Sequence, residues 1–157
     1  MDAVVISTDD MEYAMVAERA GATVPFIRPA ALASDTATEI DSWRHLILHM
    51  ESRGRRPDIL VTVPATSPLR IPADVDAALD LFLSSEADLV ITGTPAATNP
   101  YFNMVKVSED GWASVACRLP ARVVRRQDAP ELWDMTGATF IADTNYVMET
   151  DHLLDGR

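Results

Sequence analysis

Four polar stretches of this 157-residue chain carry side chains able to hold a phosphorylated or acidic small molecule. Three of them, Ser7-Thr8-Asp9-Asp10, Pro64-Ala65-Thr66-Ser67-Pro68-Leu69-Arg70 and Thr92-Gly93-Thr94-Pro95, each follow a short apolar run. The fourth, Arg28-Pro29-Ala30-Ala31-Leu32-Ala33-Ser34-Asp35-Thr36, leads toward a helical segment. The chemistry they share is recognition: a guanidinium offers a planar fork to phosphate or carboxylate, and hydroxyls hydrogen-bond sugar oxygens. In open parallel sheets ligands bind beyond the carboxyl ends of strands, where turns and helix N-termini offer free N–H groups. The placement of these stretches therefore matters as much as their composition. Taken singly, each is equally well read as ordinary turn chemistry.

Other groups weigh less. Arg118, Arg122, Arg125 and Arg126 fall within nine residues, followed by Gln127 and Asp128, and Lys106 is the single lysine of the chain. Any anion site must therefore use arginine or backbone N–H groups. Asp128 is read as orienting an arginine rather than as an acid or base. His45 and His49 have a spacing that suits a metal ion, but they fall opposite the apolar stripe of their helix and read as a solvated face. Arg53, Arg55 and Arg56 follow that helix, where cations suit the C-terminal end of its dipole. No catalytic residue is assigned.

The elements that must position these groups follow from hydropathy. Ala3 to Ile6, Ile59 to Val63 and Leu89 to Ile91 are apolar, rich in β-branched residues and not strictly alternating, as strands covered on both faces are. Val24 to Ile27 and Ala138 to Ala142 are two further strands. The first helix is expected over residues 10 to 20, with Asp9 as cap and Gly21 as stop. The second is expected over about residues 37 to 52, with Thr36 and Glu39 at capping-box spacing and Ile40, Trp43, Ile47 and Met50 on one face. A third begins near Pro72, where Ile71 is a poor cap, and buries Val75, Ala78, Leu79 and Phe82. From residue 99 onward the pattern changes: Phe102 to Val107 and Trp112 to Cys117, joined through Glu109-Asp110-Gly111, read as a hairpin. Strands alternating with helices predict an α/β domain with a mainly parallel sheet.

Composition narrows the class. The length suits one domain with a real core. With 24 acidic against 13 basic residues, a net charge of −11 opposes general binding to nucleic acid. No apolar run reaches the ~18 residues of a membrane span, and Met1 and Asp2 lack the basic start of a signal peptide, so the expectation is a cytoplasmic protein without membrane attachment. One cysteine, Cys117, excludes an intrachain disulfide and suits a reducing compartment.

The order of the motifs is more specific than any one of them. Val5-Ile6-Ser7-Thr8-Asp9-Asp10, Arg28-Pro29 with Leu32-Ala33-Ser34-Asp35-Thr36-Ala37, Thr66-Ser67-Pro68-Leu69-Arg70 and Arg125-Arg126-Gln127-Asp128 together resemble the acylneuraminate cytidylyltransferase (CMP-sialic acid synthetase) family over nearly the whole chain. The resemblance implies a single nucleotidyltransferase-like domain over residues 1–157, a three-layer α/β/α, nucleotide-diphospho-sugar transferase-like fold, with residues 99–135 as a dimerisation arm. It implies that CTP and an acidic, sialic-acid-like nonulosonic (keto-deoxy) sugar give a CMP-sugar and pyrophosphate with Mg²⁺, in a homodimer. Arg28, Ser34 and Asp35 are then the nucleotide-binding candidates, and Thr66, Ser67, Arg70, Arg126 and Gln127 the sugar-binding ones, the last two reaching across the subunit boundary.

The departures from the family pattern are also specific. Members begin with a strand and a basic, glycine-rich loop that cradles the CTP phosphates, and later carry an aspartate-rich Mg²⁺ stretch. Neither motif occurs in these residues, so the Mg²⁺ ligands are expected outside them. Pro64-Ala65 stands where many members have Gln-Pro, and Asp134-Met135-Thr136-Gly137 where sialic-acid enzymes carry Arg-Pro-Asn-Gly. A sugar other than N-acetylneuraminate, of legionaminic or pseudaminic type, fits equally well. The alternative reading is a noncatalytic sugar-binding or dimerising homologue.

Overall fold

The computed structural model describes residues 3–157. It is a mixed α/β structure: α1 (Met11–Arg19), α2 (Glu39–Ser52), β1 (Ile59–Thr62), α3 (Pro72–Leu83), β2 (Leu89–Pro95), β3 (Val105–Val107), β4 (Ala113–Val115), β5 (Trp133–Asp143) and α4 (Thr144–Glu149), with 3-10 turns at Ala30–Leu32 and Arg126–Asp128. One sheet has the strand order β1-β5-β2, and β3 and β4 form a separate two-stranded ribbon. Among the described residues no helix is long and apolar enough to cross a membrane.

Helix starts are set by single carboxylates and hydroxyls. The Asp10 carboxylate accepts hydrogen bonds from the N–H groups of Glu12 (2.6 Å) and Tyr13 (3.1 Å), leaving two fewer orphan donors at the start of α1. Asp9, expected in that role, is instead drawn to Arg28 at 3.4 Å. Gly21, at φ 91°, ends the segment as expected. α2 starts two residues later than its sequence signal, because Thr38 rather than Thr36 accepts from the N–H of Asp41 (3.2 Å). α3 begins at Pro72, and the carboxylate of Asp74 reaches back to the Ile71 N–H (3.3 Å), compensating for a residue that cannot cap. Ala78 is buried, with Val75, Leu79 and Phe82 half-buried beside it, the face predicted from periodicity.

The two strands expected first in the chain are reduced to isolated parallel bridges, Val5↔Thr23 and Thr8↔Ile27. The cause is Pro25. In a parallel ladder the bond from Thr23 N–H to Val4 C=O would be followed by one from residue 25, and proline has no N–H to give. The register slips accordingly: Val5 to Thr8 is a step of three, Thr23 to Ile27 a step of four. The predicted hairpin forms, with β3 and β4 antiparallel and Val105 opposite Val115.

The chain divides into two compact units. One runs up to Val61 and includes Phe82–Leu89 and Ile141–Arg157. Its core contains Ile47 of α2, Ile141 of β5 and Val147 of α4, all 1% exposed or less. α4 is anchored at both ends: Asp143 caps its start, and Arg44 on α2 donates from Nε to the Val147 carbonyl (2.9 Å) and from Nη2 to the Thr150 carbonyl at its close. The other unit holds Thr62–Leu81 and Val90–Phe140. Its buried side chains include Ala78, Val90, Thr139 and Phe140, and the Thr139 hydroxyl donates to the Thr62 carbonyl (2.7 Å).

Candidate functional site

In the first unit the polar turn at residues 7–10 and Arg28 come together. The Arg28 N–H bonds the Thr8 carbonyl (2.7 Å), which brings the residue alongside the turn. Its guanidinium then divides: Nη2 donates to Asp9 (3.4 Å) and Nη1 to the Ser42 hydroxyl (3.3 Å). Two buried polar atoms here, Ser7 Oγ and Arg28 Nε, have no hydrogen-bond partner. An unpaired buried donor costs about 1–3 kcal/mol, a cost that an incoming acceptor would relieve. Ser34 and Asp35 lie exposed in the loop that follows Arg28, and the Ser34 hydroxyl bonds the Ala31 carbonyl and the Thr36 hydroxyl, each at 3.3 Å. Ser42 was not singled out in the sequence. A serine beside the core residue Trp43, facing away from the apolar stripe, is the signal that would have marked it.

The second unit contains the turn at residues 64–70. It is fastened to β5 at Gly137, which has φ 60° in mid-strand. The Ser67 hydroxyl approaches two consecutive carbonyls, of Gly137 (3.3 Å) and Thr136 (3.5 Å). Arg70 donates from Nε to the Ala138 carbonyl (2.7 Å) and from Nη2 to the Pro64 carbonyl. Arg70 thus closes its own turn and ties it to the strand, while Thr66 stays exposed at the tip.

The same unit places the arginine-rich segment. Arg126 Nη2 bonds the carbonyls of Ala97 (3.1 Å) and Ala96 (3.4 Å) of its own chain. Arg126 and Gln127 line an open groove of about 430 Å³ with Asn99, Pro130, Glu131 and Leu132. Asp128 forms the expected arginine partnership, a two-point pair with Arg125 (2.8 and 3.0 Å) that holds its carboxyl below the ordinary value of 3.8. The structure therefore gathers Arg28 with the turn at 7–10, and Ser67 and Arg70 with residues 136–138. These two groups belong to different units.

His45 and His49 do not form a freely solvated face. The Phe26 ring meets both edge-on, with ring centroids 4.5 and 4.7 Å away, and His45 Nδ1 and His49 Nε2 are buried without hydrogen-bond partners. Burial, followed by the charges of Arg53 and His45, lowers the His49 pKa from its ordinary 6.5. The unfolded chain therefore binds the extra proton first. This contribution to stability is complete above the unfolded value and is lost as pH falls toward the folded one. The melting temperature should fall as pH is lowered through the ordinary histidine value of 6.5 and below it, and His49→Gln should flatten that slope; equal slopes would refute the assignment.

Among the described residues no group of three or more His, Cys, Asp or Glu side chains could hold a metal ion.

Similarity to known proteins narrows the class. Over 149 residues, 94% of its length, the chain is 36% identical to the post-translational flagellin modification protein B of Campylobacter coli. It is 34% identical over 149 residues to the CMP-N,N'-diacetyllegionaminic acid synthase of Campylobacter jejuni, and 32% identical over 78 residues, half of this chain, to that of Legionella pneumophila. No family model matches the chain. Over nearly its whole length it is thus similar to proteins that include a CMP-N,N'-diacetyllegionaminic acid synthase, in keeping with the resemblance its ordered motifs carry. It spans 62% of the length of each of the two Campylobacter proteins.

Proposed function

We propose that this chain is part of a cytidylyltransferase that joins a nonulosonic sugar of the legionaminic type to CMP. The observation that carries the reading is the similarity, over 94% of the chain, to a CMP-N,N'-diacetyllegionaminic acid synthase. In the reaction the anomeric hydroxyl of the sugar attacks the α-phosphate of CTP, the bond to the β-phosphate breaks and pyrophosphate leaves. Positioning and charge stabilisation dominate such transfers. Arg28 serves the nucleotide, with Ser34 and Asp35 in the loop beside it. Its guanidinium is pre-aimed by Asp9 and Ser42 and retains an unpaired N–H. The turn bearing Thr66, Ser67 and Arg70 serves the acidic sugar, its backbone N–H groups and hydroxyls held in place by the bonds to β5. Mg²⁺ enters this reading as a counter-ion arriving with CTP.

The finer fold belongs to the same proposal: a three-layer α/β/α, nucleotidyltransferase-like arrangement in a cytoplasmic homodimer. Residues 99–135 form the dimerisation arm, with Arg126 and Gln127 meeting the sugar of the partner subunit. The arm's exposed Val105, Val107 and Trp112 support its role as a contact surface.

Calorimetric titration with CTP, with N,N'-diacetyllegionaminic acid and with both, alongside a pyrophosphate assay, tests the reading. Both ligands should bind, and Arg28→Gln should weaken CTP about tenfold, the loss of one charge-assisted hydrogen bond, while leaving the sugar unaffected. A chain that binds neither ligand would overturn it. Sugar binding without CTP binding would instead favour a noncatalytic homologue.

A further inference from the structure

Thr92, on β2, sits opposite the Gly137 kink of β5. Its hydroxyl accepts from the backbone N–H groups of both Ala138 (3.1 Å) and Thr139 (3.3 Å), and donates to the Thr139 carbonyl (3.3 Å). In a regular strand successive N–H groups point to opposite edges, so two neighbours reaching one hydroxyl mark a local bulge. The Thr136 hydroxyl closes the arrangement, 3.0 Å from Thr92 Oγ1 and 3.2 Å from the Thr92 carbonyl. From the other side the same backbone is held by Ser67, at the Thr136 and Gly137 carbonyls, and by Arg70, at the Ala138 carbonyl. One hydroxyl thus ties two successive N–H groups of β5 to β2. It fixes the carbonyls that the 64–70 turn grips.

We propose that Thr92 is a positioning residue for the sugar-binding turn, acting through the bulge at Thr136–Ala138 without touching the ligand. This rests on the reading that the turn at 64–70 binds the acidic sugar. Removing the hydroxyl while keeping the shape, as Thr92→Val does, takes one acceptor from two N–H groups and one donor from the Thr139 carbonyl, and frees the bulge to adopt other geometries. Ser67 and Arg70 then lose a fixed anchorage. Thr92→Ser keeps the hydroxyl and should restore it.

The test uses the 157-residue chain and both variants. Affinity for N,N'-diacetyllegionaminic acid and for CTP is measured by calorimetry, and backbone amide exchange at Ser67, Arg70, Ala138 and Thr139 by NMR. Thr92→Val should weaken sugar binding at least tenfold and leave CTP binding unchanged, with faster exchange at all four amides. Thr92→Ser should stay within twofold of the parent on every measure. Exchange accelerated only at Ala138 and Thr139, with sugar affinity intact, would overturn the proposal. If the parent chain binds no acidic sugar, the functional reading falls and exchange alone decides: Thr92→Val acceleration at Ser67 and Arg70 sustains the positioning role, and unchanged exchange there refutes it. Should Thr92→Val fail to fold, Thr92→Ala is measured the same way.

Discussion

Replacing Arg70 with methionine is expected to lower the stability of the chain by about 3 kcal/mol and, if the turn at 64–70 serves an acidic sugar as proposed, to abolish its detectable binding. The stability loss follows from what the guanidinium does. It donates to the Ala138 and Pro64 carbonyls, and hydrogen bonds from a charged group contribute about 1.5–3 kcal/mol each, with some of the sum lost to non-additivity. Methionine matches the length and apolar stem but supplies no donor, so the Ala138 carbonyl loses the guanidinium and the Pro64 carbonyl keeps the Ser67 N–H (3.3 Å). The binding loss follows from geometry, since the turn carrying Thr66 and Ser67 would be left with the Ser67 hydroxyl as its link to β5. Arg70→Lys separates the two effects. A single ammonium can satisfy one carbonyl but cannot span both as a planar fork does. Urea unfolding and sugar calorimetry on parent, Met and Lys variants give the ordering; a methionine variant as stable as the parent would show that the two bonds contribute nothing.

The second large effect is expected at Arg44. Arg44→Met should cost about 2–4 kcal/mol, because the Val147 and Thr150 carbonyls at the end of α4 would stay buried with their acceptor demand unmet. Val147 is 1% exposed and Thr150 9%, so water cannot simply replace the arginine. The ion pair with Asp41, at 3.9 Å and half in solvent, adds little. Asp41→Asn should therefore change stability by less than 1 kcal/mol. Denaturant midpoints for the two variants distinguish a carbonyl clamp from a salt bridge; equal losses at Arg44 and Asp41 would favour the salt bridge.

The sequence revealed most where local chemistry decides the outcome. Proline at the first turn of α3, an apolar face of period 3.6 and the turn residues Glu109-Asp110-Gly111 between short runs of β-branched residues each specify their element without help from afar, and Gly111 duly adopts φ 83°. The Arg125–Asp128 pair was legible for the same reason, since its partners are three residues apart. Errors came where distant groups choose between equivalent neighbours. Asp9 and Asp10 are both able to cap α1, and Arg28, nineteen residues on, claims the first. Thr36 and Thr38 both precede an acidic residue by three, and the structure uses the second. Pro25 was in plain view, yet its missing N–H matters only once the partner strand is known.

The same distinction applies to the site. The turns at 7–10, 28–36 and 64–70 stood out as polar stretches, as did residues 92–95, but Ser42 did not, and neither Thr92 nor Gly137 was read as a support for another turn. Ser42 lies inside a helix, Thr92 inside a strand, and Gly137 gains its meaning from side chains forty-five and seventy residues away. Motifs announce groups that face a ligand, whereas the groups that aim them are scattered along the chain and look like filler.

The ribbon of β3 and β4 has a consequence for handling the protein. Three residues per strand, with Val105 and Val107 in water, is too little for such a pair to be rigid, since isolated two-stranded hairpins are marginal at best. A protease added in trace amounts would cut there first, and the nick would reveal whether another surface has come to shelter it.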